Sequence, residues 1–197
     1  MPATPDPASL VVLFGPPAVG KTAVGRALAK LTGFTLYHGH QTMDVISDFF
    51  PFGTPSFMRL HRLFSLQILE EAAEQQMSMI VTTGWLFTSP ADTAAALALA
   101  EPFETRGGNA HYVELWAPIE VRLARNRTEE RRRSKKTDWS TDDFLLHQER
   151  TQDRNSHGTL PLNLPFLRLE TADMSAADAA EAINAHIARN SDLQTRN

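Results

Sequence analysis

Short apolar runs alternate along this chain with longer stretches whose apolar residues recur every three to four positions. Residues 10–14 (LVVLF) are apolar without interruption, the pattern of a strand covered on both faces. From 21 to 31, Ala23, Val24, Ala27, Leu28 and Leu31 keep helical spacing and Gly33 follows as a stop, which predicts a helix. Further strands are predicted over 34–37, 79–83 (MIVTT), 110–116 (AHYVELW) and 166–169. Further helices are predicted over 55–76, over the alanine-rich 90–101, after Pro118, and over 175–189. In the helix over 55–76 the inner side is expected to carry Phe57, Leu60, Leu63, Phe64, Ile68 and Leu69. Strands and helices alternating in this way imply an α/β fold, a parallel sheet wrapped by helices. There are no internal repeats, and the ends, 1–8 and 191–197, read as loose tails.

Composition narrows the function classes. A chain of 197 residues, 42% apolar, suits one globular domain, 1–197, with a substantial core. No apolar run approaches the ~20 residues of a membrane span, and MPATPDPASL lacks the basic flank of a secretion signal. The expectation is an unexported protein of the cytoplasm with no membrane partner. The absence of cysteine excludes thiolate metal sites and cysteine nucleophiles and fits a reducing compartment. A net charge of -4 argues against nucleic acid as the general partner, so any anion site is local.

The strongest chemical signal is GPPAVGKT, which fits GxxxxGK[ST] between the first strand and the first helix. It comprises Gly15, Pro16, Pro17, Ala18, Val19, Gly20, Lys21 and Thr22, with Ala23 following. In such a loop the glycines let backbone N–H groups turn around phosphate oxygens, and the helix N-terminus adds its positive dipole end. Lys21 would reach the terminal phosphates, and Thr22 would offer its hydroxyl to Mg²⁺ as the γ-phosphoryl group moves. The nucleotide expected is ATP or another purine triphosphate.

The usual GTPase readers are missing, and the third strand ends TTGW rather than in the acidic residue of a motor ATPase. With the loop, IVTTG (80–84) and GTPSFMR (53–59), the sequence resembles the small P-loop kinases of the shikimate kinase and nucleoside monophosphate kinase superfamily, over nearly its whole length. That resemblance implies a P-loop three-layer αβα sandwich of five parallel strands in the order 2-3-1-4-5, with a helical lid over about 125–140. It implies phosphoryl transfer to a hydroxyl of a small acceptor bound at the ends of strands two and three. Arg59 matches the arginine that grips an anionic acceptor, and Gly84 lies in the acceptor turn.

Two departures stand out. Where shikimate kinases carry DxD after strand two, this chain has His38-Gly39-His40, and Trp85 replaces a turn glycine, adding an expected aromatic wall to the acceptor pocket. The histidines have three readings: metal ligands lacking an identifiable third partner, groups that orient or deprotonate the acceptor, or polar residues satisfying a strand end. His40 stands at the position of the second family carboxylate. Asp44, four residues on, is the nearest substitute carboxylate for holding Mg²⁺ or orienting the nucleophile, and is equally readable as a first-turn acid. Phe49 and Phe50 would wall the acceptor space or pack in the core.

Residues 122–136 (RLARNRTEERRRSKK) concentrate basic side chains where the resemblance places the lid. Arg122 would then lie along the adenine, and one or two arginines from Arg125 to Arg133 would stabilise charge in the transition state, the others forming a solvated face. Thr171, Ala172 and Asp173 match the loop that borders the purine, although Asp173 also reads as a helix cap. The reading is an ATP-dependent kinase for a small molecule; the alternatives are a nucleotide-binding regulator and a nucleic-acid end-processing kinase.

Overall fold

The computed structural model describes residues 7–129 and 141–194. Five parallel strands form one sheet: β1 (Ser9–Phe14), β2 (Thr35–His38), β3 (Met79–Thr82), β4 (Asn109–Trp116) and β5 (Phe166–Glu170), in the order β2-β3-β1-β4-β5. The α-helices among the described residues are α1 (Lys21–Thr32), α2 (His40–Ser47), α3 (Pro55–Glu74), α4 (Pro90–Ala98), α5 (Glu101–Glu104), α6 (Ile119–Asn126), α7 (Asp142–Thr151) and α8 (Ala176–Gln194). The expected fold and strand order are those observed.

Alternation along β1 explains its unbroken apolar run. Leu10, Val12 and Phe14 face a core built with Leu69, Ala72 and Ala73 of α3, Leu99 and Phe103. Val11 and Leu13 face the opposite core, with Val24 and Leu28 of α1 and Ala180 and Ile183 of α8. A central parallel strand with both faces covered needs side chains of this kind at every position.

Several boundaries differ from the sequence expectation. Ala8 is buried, its carbonyl accepting from Asn109 N at 3.0 Å, so the first tail ends before it. α8 continues to Gln194, past the expected tail boundary, and the alanine-rich helix closes at Ala98 with α5 as a separate turn. The expected inner face of α3 is only partly right. Phe57 and Leu69 are buried, but with Ser65, Ala72 and Ala73, while Leu63, Phe64 and Ile68 are exposed. Small residues let this helix settle close to the sheet, and the Tyr37 hydroxyl meets Ser65 Oγ at 2.8 Å across the contact. The lid arginines Arg131, Arg132 and Arg133, with Lys135 and Lys136, lie outside the described residues.

Candidate active site at the carboxyl ends of the strands

The loop from Gly15 to Gly20 joins β1 to α1 at the carboxyl edge of the sheet, where open parallel sheets bind ligands. Gly15 has φ +136°, and a β-carbon there would fall 2.2 Å from Leu115 O, so only glycine lets the loop lie against β4. Gly20 precedes α1 and no side chain caps the helix, which leaves its first-turn amides to the loop's hollow. Lys21 Nζ bends back over the loop, donating to Gly15 O at 2.7 Å and Pro16 O at 2.9 Å.

A cavity of about 1140 Å³ opens from this loop and extends between α3 and α4. Lys21, Thr22 and Arg125 line the loop end; His38, His40, Arg59, Gly84 and Arg154 line the far part. Asp92 is the sole carboxylate among the described residues of the lining, against the cations Lys21, Arg26, Arg59, Arg62, Arg125 and Arg154. An electropositive cleft with low-dielectric walls favours a polyanion.

Arg122 and Arg125 both bond to the loop, but only Arg125 lines the large cavity. Arg122 is only 2% exposed. It donates through Nε to Ala117 O at 3.0 Å, through Nη1 to Pro17 O at 3.4 Å, and pairs through Nη2 with Glu149 of α7. It clamps the loop from behind, beside a second cavity of about 440 Å³, and stands outside the lining of the large cavity. Arg125 does line the large cavity. Its guanidinium donates to Val19 O at 2.9 Å and to Thr171 Oγ1 at 3.2 Å, and also to the carbonyls of Thr171 and Ala172. It thus joins the phosphate loop to the loop after β5, and burial lowers its pKa. Thr171 lines the cavity with Met174, Ser175 and Ala176; Ala172 and Asp173 do not.

Trp85 is also corrected. It is fully buried, 5.2 Å from Phe14 edge-on and stacked 5.4 Å from Phe87, with Nε1 donating to Thr93 Oγ1 at 3.1 Å. The turn at Gly84 sends the ring into the core, where its indole N–H finds a partner. Phe49, 74% exposed, and Phe50 stand outside the cavity lining, to which Phe52 contributes instead.

α2 begins at His40, so His40 and Asp44 are one turn apart. His40 and His38 line the cavity with rings 6.3 Å apart, but Asp44 does not reach the lining. His38 Nδ1 is buried with no hydrogen-bond partner among the described residues, and burial, more than the charge of Arg26, lowers its pKa against an opposing pull from Asp44. Among the described residues no group of three or more His, Cys, Asp or Glu side chains is placed to hold a metal ion. The two histidines therefore do not form a protein-only metal centre with other described residues.

Two groups at the far end were missed in the sequence. Asp92 sits three residues after the α4 cap Ser89, a spacing that reads as a capping box; its Oδ2 accepts from Leu86 N at 3.2 Å. Arg154 belongs to the segment after α7. That segment is pinned by Glu114, a fully buried carboxylate on β4 that accepts from Ser156 N at 2.8 Å, from Ser156 Oγ and from Arg168 Nε at 3.1 Å. Gln152 Oε1 accepts from Arg154 Nε at 3.0 Å and from Nη2 at 2.7 Å, which leaves Nη1 facing Gly84 with no hydrogen bond among the described residues. The capping spacing is the signal that could have found Asp92, whereas no local signal marks Arg154, because its segment is held through long-range contacts.

No family model matches the chain, and no curated protein matches it in sequence. Solved structures do. A sugar kinase from Janibacter sp. is 18% identical over 90% of this chain and 92% of its own, with a TM-score of 0.59. A gluconokinase from Sinorhizobium meliloti is 20% identical over 95% and 97%, with a TM-score of 0.59. The shikimate kinase of Acinetobacter baumannii, in complex with shikimate, is 21% identical over 93% and 94%, with a TM-score of 0.57. The chain has the fold of the small P-loop kinases.

Proposed function

We propose that this protein is an ATP-dependent phosphotransferase that moves the γ-phosphoryl group to a hydroxyl of a small molecule. One observation carries the reading: a single cavity runs from the glycine-framed loop and Lys21 to a set of polar groups between α3 and α4, so donor and acceptor can share one enclosure. The kinase names of the structural neighbours favour the same class.

In this reading the first-turn amides of α1 and Lys21 hold the β- and γ-phosphates, and Arg125 with Thr171 borders the purine. The acceptor oxygen attacks the γ-phosphorus, the bond to the β-phosphate oxygen breaks, and ADP leaves. The hydroxyl proton passes to a base at the far end, for which His40 on the first turn of α2 and Asp92 on α4 are the placed groups. Arg154, whose Nη1 has no hydrogen bond among the described residues, and Arg59 would fix an anionic group of the acceptor. The fit of magnesium rests on the Thr22 hydroxyl in the lining beside the uncapped turn, since this ion keeps few protein ligands and relies on phosphate oxygens. Bound there, it would neutralise charge developing between the β- and γ-phosphates.

The test is a screen of hydroxyl-bearing metabolites for acceptor-dependent ADP formation, confirmed by ³²P transfer and repeated with Lys21→Ala. Acceptor-stimulated transfer lost in the variant supports the reading. The position of Asp44 outside the lining favours a second one, a nucleotide-binding regulator without an acceptor. That reading requires nucleotide binding that no acceptor stimulates to turnover.

A further inference from the structure

We infer that the acceptor is an alcohol with an apolar body and not a polyhydroxylated sugar or sugar acid. This rests on the phosphotransferase reading and narrows its substrate class. Beyond Lys21 the cavity runs between Met58, Leu63 and Leu66 of α3 and Ala95 and Ala96 of α4 with Leu99 just after it. Neither helix turns an amide or a carboxylate into this stretch except Asp92, one of whose oxygens already accepts from Leu86 N.

The uncharged polar groups along the same wall are committed to one another, which leaves Arg59 and Arg62 of α3 to meet the one anionic group of the acceptor. The Tyr37 hydroxyl lies 2.9 Å from Thr42 Oγ1 and 2.8 Å from Ser65 Oγ. Ser65 Oγ donates to His61 O at 2.8 Å, and Thr42 Oγ1 meets His61 Nδ1 at 3.0 Å. Burial lowers the pKa of His61, which favours the neutral ring. Thr83 Oγ1 donates to Gly84 O at 3.0 Å. A sugar sliding between α3 and α4 would give up water at several hydroxyls and find these partners taken, whereas methylene or aromatic surface gives up nothing. At the mouth, Met58 and Leu63 are each 50% exposed and Phe52 is 42% exposed, large apolar side chains held in solvent on the rim of the cavity. Such an edge gains when an apolar ligand covers it.

The test uses the full chain with ADP and magnesium and, as probes, ω-hydroxycarboxylic acids of increasing chain length, with gluconate and shikimate as polyhydroxylated controls. Binding is read by calorimetry and transfer by ³²P from ATP. The dissociation constant is expected to fall about fourfold per added methylene until the wall is covered, and both controls are expected to bind more weakly than the medium-length acids. Leu63→Ser, at an exposed position that does not threaten folding, is expected to flatten the series, and Ala95→Asp to flatten it further; ADP binding on the same samples reports an intact fold. A series without chain-length dependence, or tighter binding of gluconate or shikimate, overturns the inference even if those controls are phosphorylated. Length-dependent binding with no transfer to any probe or metabolite leaves the apolar wall assigned and overturns the phosphotransferase reading.

Discussion

Arg154 Nη1 lies so close to Gly84 that a β-carbon on that residue would come within 2.6 Å of it. The atom in the way is the far end of a side chain, so Gly84→Ala is expected to displace the guanidinium without disturbing the fold. The thermal midpoint should move by less than about 2 °C, as for other substitutions outside the core. If Arg154 anchors an anionic group of the acceptor, KM for that acceptor rises by about tenfold or more in Gly84→Ala and in Arg154→Ala, the loss of one charge-assisted contact. The ATP dissociation constant by calorimetry should stay within about twofold of the parent in both variants, the scatter that small local shifts produce. An equal loss of ATP and acceptor binding would remove Arg154 from the acceptor side.

Gly15 presents the opposite case, because its missing side chain faces backbone. A methyl group there would sit 2.2 Å from Leu115 O at a φ of +136°, and neither β1 nor β4 can retreat from the sheet centre. Gly15→Ala is expected to cost about 3 kcal/mol, combining backbone strain with overpacking. For a chain of this length that is a fall of roughly 6–12 °C in the midpoint. Nucleotide binding should be lost at temperatures where the variant is still folded. Calorimetric titration of ATP below the midpoint checks both parts, and normal affinity would show that the loop tolerates a different path.

The Arg122–Glu149 pair is asymmetric. Arg122 is almost wholly buried while the Glu149 side chain is 45% exposed. Removing the acid by Glu149→Ala therefore leaves a buried guanidinium without its counter-charge, and about 2–4 kcal/mol of stability should go with it. Arg122→Met removes the charge and its bonds to Ala117 O and Pro17 O together, keeps the bulk, and should cost less, at roughly 1–2 kcal/mol. Urea denaturation ranks the two. Because Arg122 acts on the loop from behind, Arg122→Met should weaken ATP and GTP equally; a selective loss of one purine would return Arg122 to the base-stacking role that its sequence position implied.

What the sequence disclosed and what it concealed follow from the range of the interactions involved. The β1 strand, the phosphate loop and α1 are written in consecutive residues, and their spacing carries their geometry. Helix α3 shows the limit: Leu63 and Phe64 keep the period of a buried face, yet Ser65 takes the inner position, because its hydroxyl serves the Tyr37 phenol across the sheet contact. Trp85 and Arg122 were each legible as unusual but not as buried, since their surroundings come from β4, α4 and α7. The segment that carries Arg154 to the cavity is held by partners far away in sequence, Glu114 at the backbone of Ser156 and Phe87 N donating to Asp153 O at 3.1 Å. Nothing within the local sequence encodes that.

His111 gives a prediction that is independent of any ligand. It lies on β4, 4% exposed, and neither ring nitrogen has a hydrogen-bond partner among the described residues. Burial, with a smaller contribution from His186, pulls its pKa from 6.5 down to about 4. The ring is neutral in the folded protein, so between about pH 4 and 6.5 the unfolded chain binds a proton that the folded chain does not. Stability contributed by the neutral ring is therefore fully present above about pH 6.5 and is lost as pH falls towards 4, by up to about 3 kcal/mol for a shift of this size. His111→Leu replaces the imidazole with an apolar side chain of similar size on a covered strand, and should flatten the pH dependence of the urea midpoint across that window. Above pH 7 the two proteins should lie within about 1.5 kcal/mol of each other, the cost of a volume-conserving core exchange. The same slope in parent and variant would assign the acid sensitivity to other groups.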